Sequence, residues 1–321
     1  MSQTLVSTAP GRRRLWRWLG IGLAVLLVVL VAGGVLLARS RALRLIHPER
    51  DPIDTTPAEF GIPVWEDVTF QSADGLRLAG WFIPPGPQVD GATILLLHGF
   101  SYNRAAMLPQ AALLVEQGYG ALLYDTRNLG ESEGTVTTLG LHEPLDVRGA
   151  LDYLLARDDV NPDRIGIIGE SLGAATAIRA AATMPELKAV VAQAAFSSLE
   201  ENVGEGVRRF TGLPPFPFAP LVLWFAEREA GGQVGQVRPM DEIGLIAPRP
   251  VLLLHGARDP LIDVSNSERL FAAAGQPKQL HIFPEAEHGR FMDTYPDEFA
   301  ALVVPFFDMA LLPVPEVWFD S

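Results

Sequence analysis

One serine lies where a buried strand would turn directly into a helix. Ser171 stands between Gly169 and Gly173 in GIIGESLG, where the apolar run ending at Ile168 gives way to an alanine-rich segment. In so tight a turn, side chains at the two glycine positions would collide with neighbouring elements. The turn raises the hydroxyl above the sheet and leaves the first helical N–H groups unpaired beside it. This pattern predicts a nucleophile. A helix cap is the alternative, but SLGAA lacks the acid of a capping box.

Two more residues could activate this serine. A serine hydroxyl is a weak nucleophile at neutral pH and needs a neighbouring base, which in turn needs a carboxylate to orient it. Asp259 follows the apolar run in PVLLLHGARDP, and His288 follows the strand-like QLHIF in QLHIFPEAEHG. Asp263 competes with Asp259 as the carboxylate. The sequence therefore predicts a Ser171, Asp259, His288 triad.

The elements that must position these residues alternate along the chain. From Val64 onward, short apolar strands and amphipathic helices follow one another, beginning with two strands around the turn Asp74-Gly75. Such alternation predicts a mostly parallel sheet covered by helices on both faces. Sites in these sheets lie beyond the carboxyl ends of the strands, which is where all three candidates fall.

Four segments resemble the α/β-hydrolase superfamily: LLLHGF, YDTRNLGESEG, GESLG, and HGARDPLI followed by EAEHG. The resemblance runs from about Trp65 to Leu312. Within the superfamily, the chain is most similar to membrane-anchored bacterial hydrolases of the serine aminopeptidase-like and lysophospholipase-like branch. It implies an α/β-hydrolase fold, with 64–196 and 249–321 as the catalytic domain and 197–248 as a helical cap. The apolar cap could line an acyl pocket or simply pack on the body. One departure is Asn128, where the related pattern usually has glycine.

The resemblance also implies roles for single residues. It places the acid directly after the strand and its His-Gly turn, which favours Asp259 over Asp263. The main-chain N–H groups of Leu172 and Phe100, or of Ser101 in place of Phe100, would form an oxyanion hole. His98 and His255, which end strands before glycine, would be turn and packing residues. The implied reaction is hydrolysis of an ester or thioester through an acyl-enzyme, with no cofactor and no metal. An aminopeptidase, an acyltransferase, and a silent scaffold that binds a lipid or partner are alternatives.

The N-terminus has the pattern of a membrane anchor. Trp18 to Ala38 carries no charge and, at about 1.5 Å per residue, matches a bilayer core of roughly 30 Å. Arginines flank both ends in equal number, and tryptophans stand at the first end. We predict a basic tail (1–17), a transmembrane helix (18–38) and a proline-rich tether (39–63), with a cleaved signal peptide as the alternative. The short tail favours a catalytic domain outside the cytoplasm.

Charge separates this N-terminus from the rest of the chain. Of 25 basic and 38 acidic residues in the 321, the first 50 residues hold eight arginines and one glutamate, which leaves 17 and 37. A body this acidic repels nucleic acid. The chain has no cysteine, so disulfides and thiolate metal sites are excluded. The expected partners are a small-molecule or lipid-like acyl substrate and, through the N-terminal helix, a membrane.

Overall fold

The structure, a computed structural model, describes residues 10–313, with side chains from residue 14 onward. Eight strands form one sheet: β1 (Glu66–Gln71), β2 (Arg77–Ile83), β3 (Thr93–Leu97), β4 (Gly120–Tyr124), β5 (Ile165–Glu170), β6 (Leu187–Gln193), β7 (Val251–Gly256) and β8 (Lys278–Phe283). Their order across the sheet is β1-β2-β4-β3-β5-β6-β7-β8. β2 is antiparallel to β1 and β4, and all other neighbours are parallel. The mostly parallel sheet predicted from the sequence is confirmed.

Ten α-helices occur in residues 10–313: α1 (Pro10–Ile46), α2 (Leu108–Glu116), α3 (Glu143–Leu155), α4 (Leu172–Thr183), α5 (Leu199–Thr211), α6 (Pro215–Ala230), α7 (Pro239–Glu242), α8 (Ser265–Ala273), α9 (Phe291–Thr294) and α10 (Pro296–Leu311). α3, α4 and α8 pack on one face of the sheet, and α2 and α10 pack on the other. α5, α6 and α7 lie between β6 and β7 in sequence, where the helical cap is predicted.

The central strand β3 shows why an unbroken apolar run is required. Successive side chains of a strand point to opposite faces, so both faces of a covered strand must be apolar. Leu95 and Leu97 enter the core beneath α3 and α4, while Ile94 and Leu96 enter the core beneath α2 and α10. All four are fully buried. Each such burial contributes about 1.5–3 kcal/mol, which keeps the strand, and hence the loop that follows it, in place.

The N-terminal helix is longer than the predicted span. α1 is continuous from Pro10 to Ile46 and contains one segment, Arg14–Ile46, that is long and apolar enough to cross a membrane or to act as a signal sequence. Side chains along this segment are exposed up to Leu37, whereas Ala38, Ala42 and Ile46 are buried. The first nine residues of the predicted tail lie outside the described residues.

The predicted tether, 39–63, is in part helical and is bound to the domain. α1 occupies it as far as Ile46, whose carbonyl accepts a hydrogen bond from the Thr137 N–H at 2.8 Å. Beyond the helix, His47 Nδ1 donates to the Thr135 carbonyl at 2.8 Å, and Arg50 donates to the Gly134 carbonyl at 3.1 Å. Prolines and acids predicted a tether and not a core element, and main-chain groups of a distant loop hold this segment against the domain. The end of α1 therefore has a fixed position on the domain.

Candidate active site

Ser171 occupies a strained turn between β5 and α4. Its φ of 55° and ψ of −115° are unusual for a residue with a side chain, and its N–H donates to the Gln193 carbonyl of β6 at 2.8 Å. A Cβ at Gly169 would lie 2.3 Å from the Gly173 carbonyl oxygen, and a Cβ at Gly173 would lie 2.4 Å from the Leu97 carbonyl oxygen. Both glycines are therefore required, as the sequence predicts. Holding a serine in this conformation costs about 1–3 kcal/mol, which the surrounding packing must supply.

Asp259 and His288 meet at the ends of β7 and β8. His288 Nδ1 donates to Asp259 Oδ2 at 2.6 Å, while Asp259 Oδ1 accepts from the N–H groups of Leu261 and Ile262 at 2.7 and 2.9 Å. The competing Asp263 accepts instead from the Ser265 N–H at 3.0 Å, at the start of α8. The structure thus pairs His288 with Asp259.

The Asp259 carboxylate is held in its ionised form. Burial alone would raise its pKa, but hydrogen bonds from His255 and His288 and from the Ile262 N–H outweigh burial and hold the pKa below the usual range. A buried carboxylate that stays negative fixes Nδ1 as the protonated nitrogen of His288. The other nitrogen, Nε2, is then free to accept a proton.

His255 supports this carboxylate, a role that the sequence did not predict. It is fully buried; its Nδ1 accepts from Ser267 Oγ at 2.6 Å, and its Nε2 donates to the Ile262 carbonyl at 3.0 Å. The same Nε2 lies 3.4 Å from Asp259 Oδ2. His255 therefore holds both the carboxylate and its loop. The only sequence signal is the four-residue spacing between His255 and Asp259, because Ser267 comes from a different element.

His98 braces the loop after β3, in agreement with its predicted packing role. Its Nδ1 donates to the Gly99 carbonyl at 2.8 Å, and its Nε2 accepts from the Thr126 N–H at 3.1 Å. Burial lowers its pKa, so the ring stays neutral and keeps both bonds. Within residues 10–313, the N–H groups of Phe100 and Leu172 donate to no protein acceptor. Both residues pack in one apolar cluster, and both N–H groups remain available to a ligand.

Ser171 is placed next to the loop that carries His288. No hydrogen bond joins Ser171 Oγ to His288 in the described part of the chain, and catalytic hydrogen bonds of this kind often tighten only with substrate. The residues next to Ser171 and His288 are in close contact, because a Cβ at Gly289 would lie 2.3 Å from Glu170 Oε1. Burial raises the pKa of Glu170 to about 7, although the nearby His288 opposes this. The sequence analysis missed Glu170.

Two buried ion pairs stiffen the loop after β4. Asp125 accepts from the Arg104 N–H at 2.7 Å and pairs with its guanidinium, while Arg127 pairs with Asp146 at 2.7 Å. Asn128 follows with φ of 64°, a left-handed conformation that asparagine tolerates better than most residues. This accounts for asparagine at a position where the related pattern has glycine.

Eight strands in this order, with serine, acid and histidine after β5, β7 and β8, define an α/β hydrolase. Family models agree: X-Pro dipeptidyl-peptidase (S15 family) matches residues 61–216, and Serine aminopeptidase, S33, matches residues 238–295. The YfhR protein of Salmonella typhi is 31% identical over 291 residues, covering 85% of this chain and 91% of its own. The chain belongs to the α/β-hydrolase superfamily, and these matches support a hydrolase.

Two further similarities extend this assignment. The alpha/beta hydrolase domain-containing protein WAV2 of Arabidopsis thaliana is 28% identical over 249 residues, covering 75% of this chain and 76% of its own. The esterase Pf2001 of Pyrococcus furiosus superposes with a TM-score of 0.69 at 26% identity, covering 83% of this chain and 99% of its own. The fold around the candidate site is therefore shared with a protein described as an esterase.

Proposed function

We propose that this protein is a membrane-anchored serine hydrolase that cleaves an acyl ester or thioester. The observation that carries the proposal is the 2.6 Å hydrogen bond from His288 to the buried Asp259, next to a serine held in a strained turn. A base with an ionised orienting group, beside a raised hydroxyl, is the arrangement that nucleophilic acyl transfer requires.

The reaction proceeds in two halves. In the first, Ser171 Oγ attacks the acyl carbonyl carbon while His288 Nε2 takes the hydroxyl proton, and Asp259 stabilises the resulting imidazolium. His288 then returns this proton to the leaving oxygen or sulfur as its bond to the acyl carbon breaks. In the second half, water attacks the acyl-enzyme, His288 takes a proton from it, and Ser171 regains the proton as the acid departs.

The oxyanion of each tetrahedral intermediate is held by the N–H groups of Leu172 and Phe100. Leu172 is the first residue of α4, so its N–H adds the positive end of the helix dipole. Preset donors of this kind are worth about 3–4 kcal/mol each, which corresponds to a rate factor of 10²–10³. Because both donors are main-chain groups, side-chain substitutions leave them in place.

Helix α1 anchors the enzyme, with the catalytic domain outside the cytoplasm. The exposed apolar side chains from Leu15 to Leu37 support a membrane span in preference to a packed core helix. Ala38 and Ala42 of α1 are buried in one apolar cluster with residues of α6, which supports an anchor that is retained, because removal of a cleaved peptide would expose this apolar surface.

A fluorophosphonate probe tests the proposed nucleophile in the full-length chain in detergent. We expect labelling at Ser171, loss of labelling in Ser171→Ala, and full labelling in the control Ser265→Ala, which changes the first residue of α8. p-Nitrophenyl ester turnover should follow the same pattern. Undiminished turnover by Ser171→Ala would refute the triad, and a wild-type chain that neither labels nor turns over esters would be a silent scaffold.

Peptide cleavage is the second candidate, because both matching family models describe peptidases. The same triad and oxyanion hole serve an amide substrate, with His288 protonating a leaving amine. Matched ester and anilide substrates with the same acyl group separate the two activities. We expect kcat/KM to favour the ester, and a higher value for an aminoacyl anilide with a free amino group would favour an aminopeptidase.

A further inference from the structure

The corner between cap helices α5 and α6 carries bulky apolar side chains that face solvent. We name residues 208–218 the cap tip. Phe210 is 67% exposed and Phe216 is 77% exposed, and Leu213 between them is also exposed. Arg208 and Arg209, both exposed, precede Phe210 in the last turn of α5. Exposed aromatic side chains next to arginines, on a domain that is otherwise acidic, indicate a surface that binds a partner.

The cap tip lies beside the apolar part of α1. A Cβ added at Gly34 would lie 3.4 Å from Phe218 Cε1. Just past the end of α1, His47 Nε2 lies 3.7 Å from Oε2 of Glu229, which is near the end of α6. Residue numbers therefore rise together along the contact, so α1 and α6 run parallel. Residues that precede Phe218 lie toward the middle of the predicted span.

This contact gives the depth of the cap tip. Gly34 lies four residues inside Ala38, the last residue of the uncharged stretch, which is about 6 Å along the helix axis. With α1 spanning a bilayer, Phe218 would then lie at the level of the lipid acyl chains, and Phe216 slightly deeper. Apolar side chains 5–10 Å below the headgroups, with arginines beside them, are the pattern of an element that lies in a membrane interface.

The same apolar cluster continues from α1 to the candidate catalytic residues. Ala38 and Ala42 of α1, Leu223 and Ala226 of α6, and Leu172 after the nucleophile all belong to it. Phe100, which carries the second proposed oxyanion donor, packs against this cluster. A continuous apolar wall thus runs from the level of the bilayer to Ser171.

We propose that the cap tip inserts into the lipid bilayer beside α1 and presents the active site to acyl lipids that reside in the membrane. The inference rests on the proposed membrane anchorage of α1. Phe210, Leu213 and Phe216 bury apolar area in the acyl-chain region, and Arg208 and Arg209 pair with lipid phosphates. An amphiphilic acyl substrate then reaches Ser171 along the apolar wall without crossing water.

Single-cysteine variants test the insertion directly, because the chain contains no cysteine. Phe216→Cys is labelled with an environment-sensitive nitrobenzoxadiazole dye, and the full-length chain is reconstituted in vesicles of phosphatidylcholine and phosphatidylglycerol. Met309→Cys is the matched control: Met309 is 75% exposed and lies near Pro250 and Lys278 at the opposite, amino edge of the sheet. Leu27→Cys, 60% exposed in the middle of α1, reports on the span itself.

Doxyl-labelled lipids distinguish the outcomes. We expect dyes at 27 and 216 to be quenched at least threefold and the dye at 309 to be unaffected. Quenching at 27 without quenching at 216 would overturn the inserted cap tip and leave the anchor intact. Absence of quenching at 27 would refute the anchorage and the inference together. A blue-shifted dye at 216 that lipids do not quench would show that a protein, such as a second copy of the chain, covers the tip, and would overturn the proposal.

A double variant tests the consequence for turnover. Phe210→Ser with Phe216→Ser removes apolar side chains that lie outside the catalytic machinery. We expect hydrolysis of a long-chain acyl ester embedded in vesicles to fall at least fivefold, while hydrolysis of a soluble short-chain ester changes less than twofold. Equal loss on both substrates, or no loss on the embedded ester, would contradict lipid presentation by the cap tip.

Discussion

Backbone strain at Ser171, the proposed nucleophile, gives a prediction in which loss of activity and gain of stability occur together. Ser171 has φ of 55° and ψ of −115°, a conformation that glycine adopts without a Cβ penalty. Both Ser171→Gly and Ser171→Ala remove the hydroxyl and should abolish turnover. They differ only in the Cβ, so the stability of Ser171→Gly relative to Ser171→Ala reports the strain stored in the turn.

The size of this difference follows from two opposing contributions. Release of the strained conformation contributes about 1–3 kcal/mol. The freedom that glycine adds to the unfolded chain offsets about 0.4–1 kcal/mol of this. The net gain is roughly 0.5–2 kcal/mol in favour of glycine. For a domain of this size, each kcal/mol changes the Tm by about 2–4 °C. Ser171→Gly should therefore unfold several degrees above Ser171→Ala.

Thermal unfolding of the two full-length variants in the same detergent, followed by circular dichroism at one scan rate, measures the difference. Ala182→Gly provides a control, because Ala182 is a helical residue in the last turn of α4, where glycine should lower the Tm. If Ser171→Gly unfolds at or below the temperature of Ser171→Ala while the control behaves as expected, the turn stores no strain and the reasoning fails.

Three further changes test the groups around Ser171. Asp259→Asn should lower kcat by about 10³–10⁴-fold because His288 loses its ionised partner. Asp263→Asn, whose carboxylate accepts from the Ser265 N–H and not from His288, should leave ester turnover within about threefold. Gly173→Ala forces a Cβ to 2.4 Å from a carbonyl oxygen and should destabilise the fold by about 1–3 kcal/mol. The control Gly206→Ala, whose Cβ would lie 4.0 Å from its nearest neighbour, should not destabilise the fold. Chemical unfolding measures the free energy of unfolding of both variants. Glu170→Gln tests the raised pKa of about 7: the folded chain holds this proton more tightly than the unfolded chain, so wild-type stability falls as pH rises from about 4.3 to 7. The Tm of the glutamine variant relative to wild type should therefore increase over this range, and a pH-independent difference would contradict the assignment.

The sheet could be predicted from sequence because burial on both faces leaves a local signature. The run TILLL of β3 and the run VLLLHG of β7 are buried at every position, so periodicity and length sufficed to place them. The candidate triad followed from the sheet, since loops at the carboxyl ends of parallel strands share one edge. Pairing of His288 with Asp259 and not Asp263 came from the family resemblance, and the structure has this pairing.

Contacts between segments that are distant in the chain leave no local pattern in the sequence, so they could not be predicted. The predicted tether has prolines and acids without apolar periodicity, which does not reveal its partners: main-chain carbonyls of residues 130–135, 80 to 88 positions away. Nothing in the sequence separates Glu170 from an ordinary residue of the GESLG motif, because its carboxylate packs against Gly289, which is distant in the chain. The packing of α1 on α6 depends on small residues such as Ala38 and Ala42, which are equally typical of any lipid-facing helix.

Charge placement connects the anchor, the cap and the substrate. The chain after residue 50 has a net charge of −20, which disfavours close approach to anionic headgroups. Arg39, Arg41 and Arg44 follow the uncharged part of α1, and Arg208 and Arg209 precede the exposed Phe210 of the cap tip, so under the proposed insertion both sets of arginines would meet the lipid headgroups. Attraction of these arginines and repulsion elsewhere would hold the cap, and not another face of the domain, against the membrane. An enzyme oriented in this way would draw the proposed acyl substrate from the bilayer.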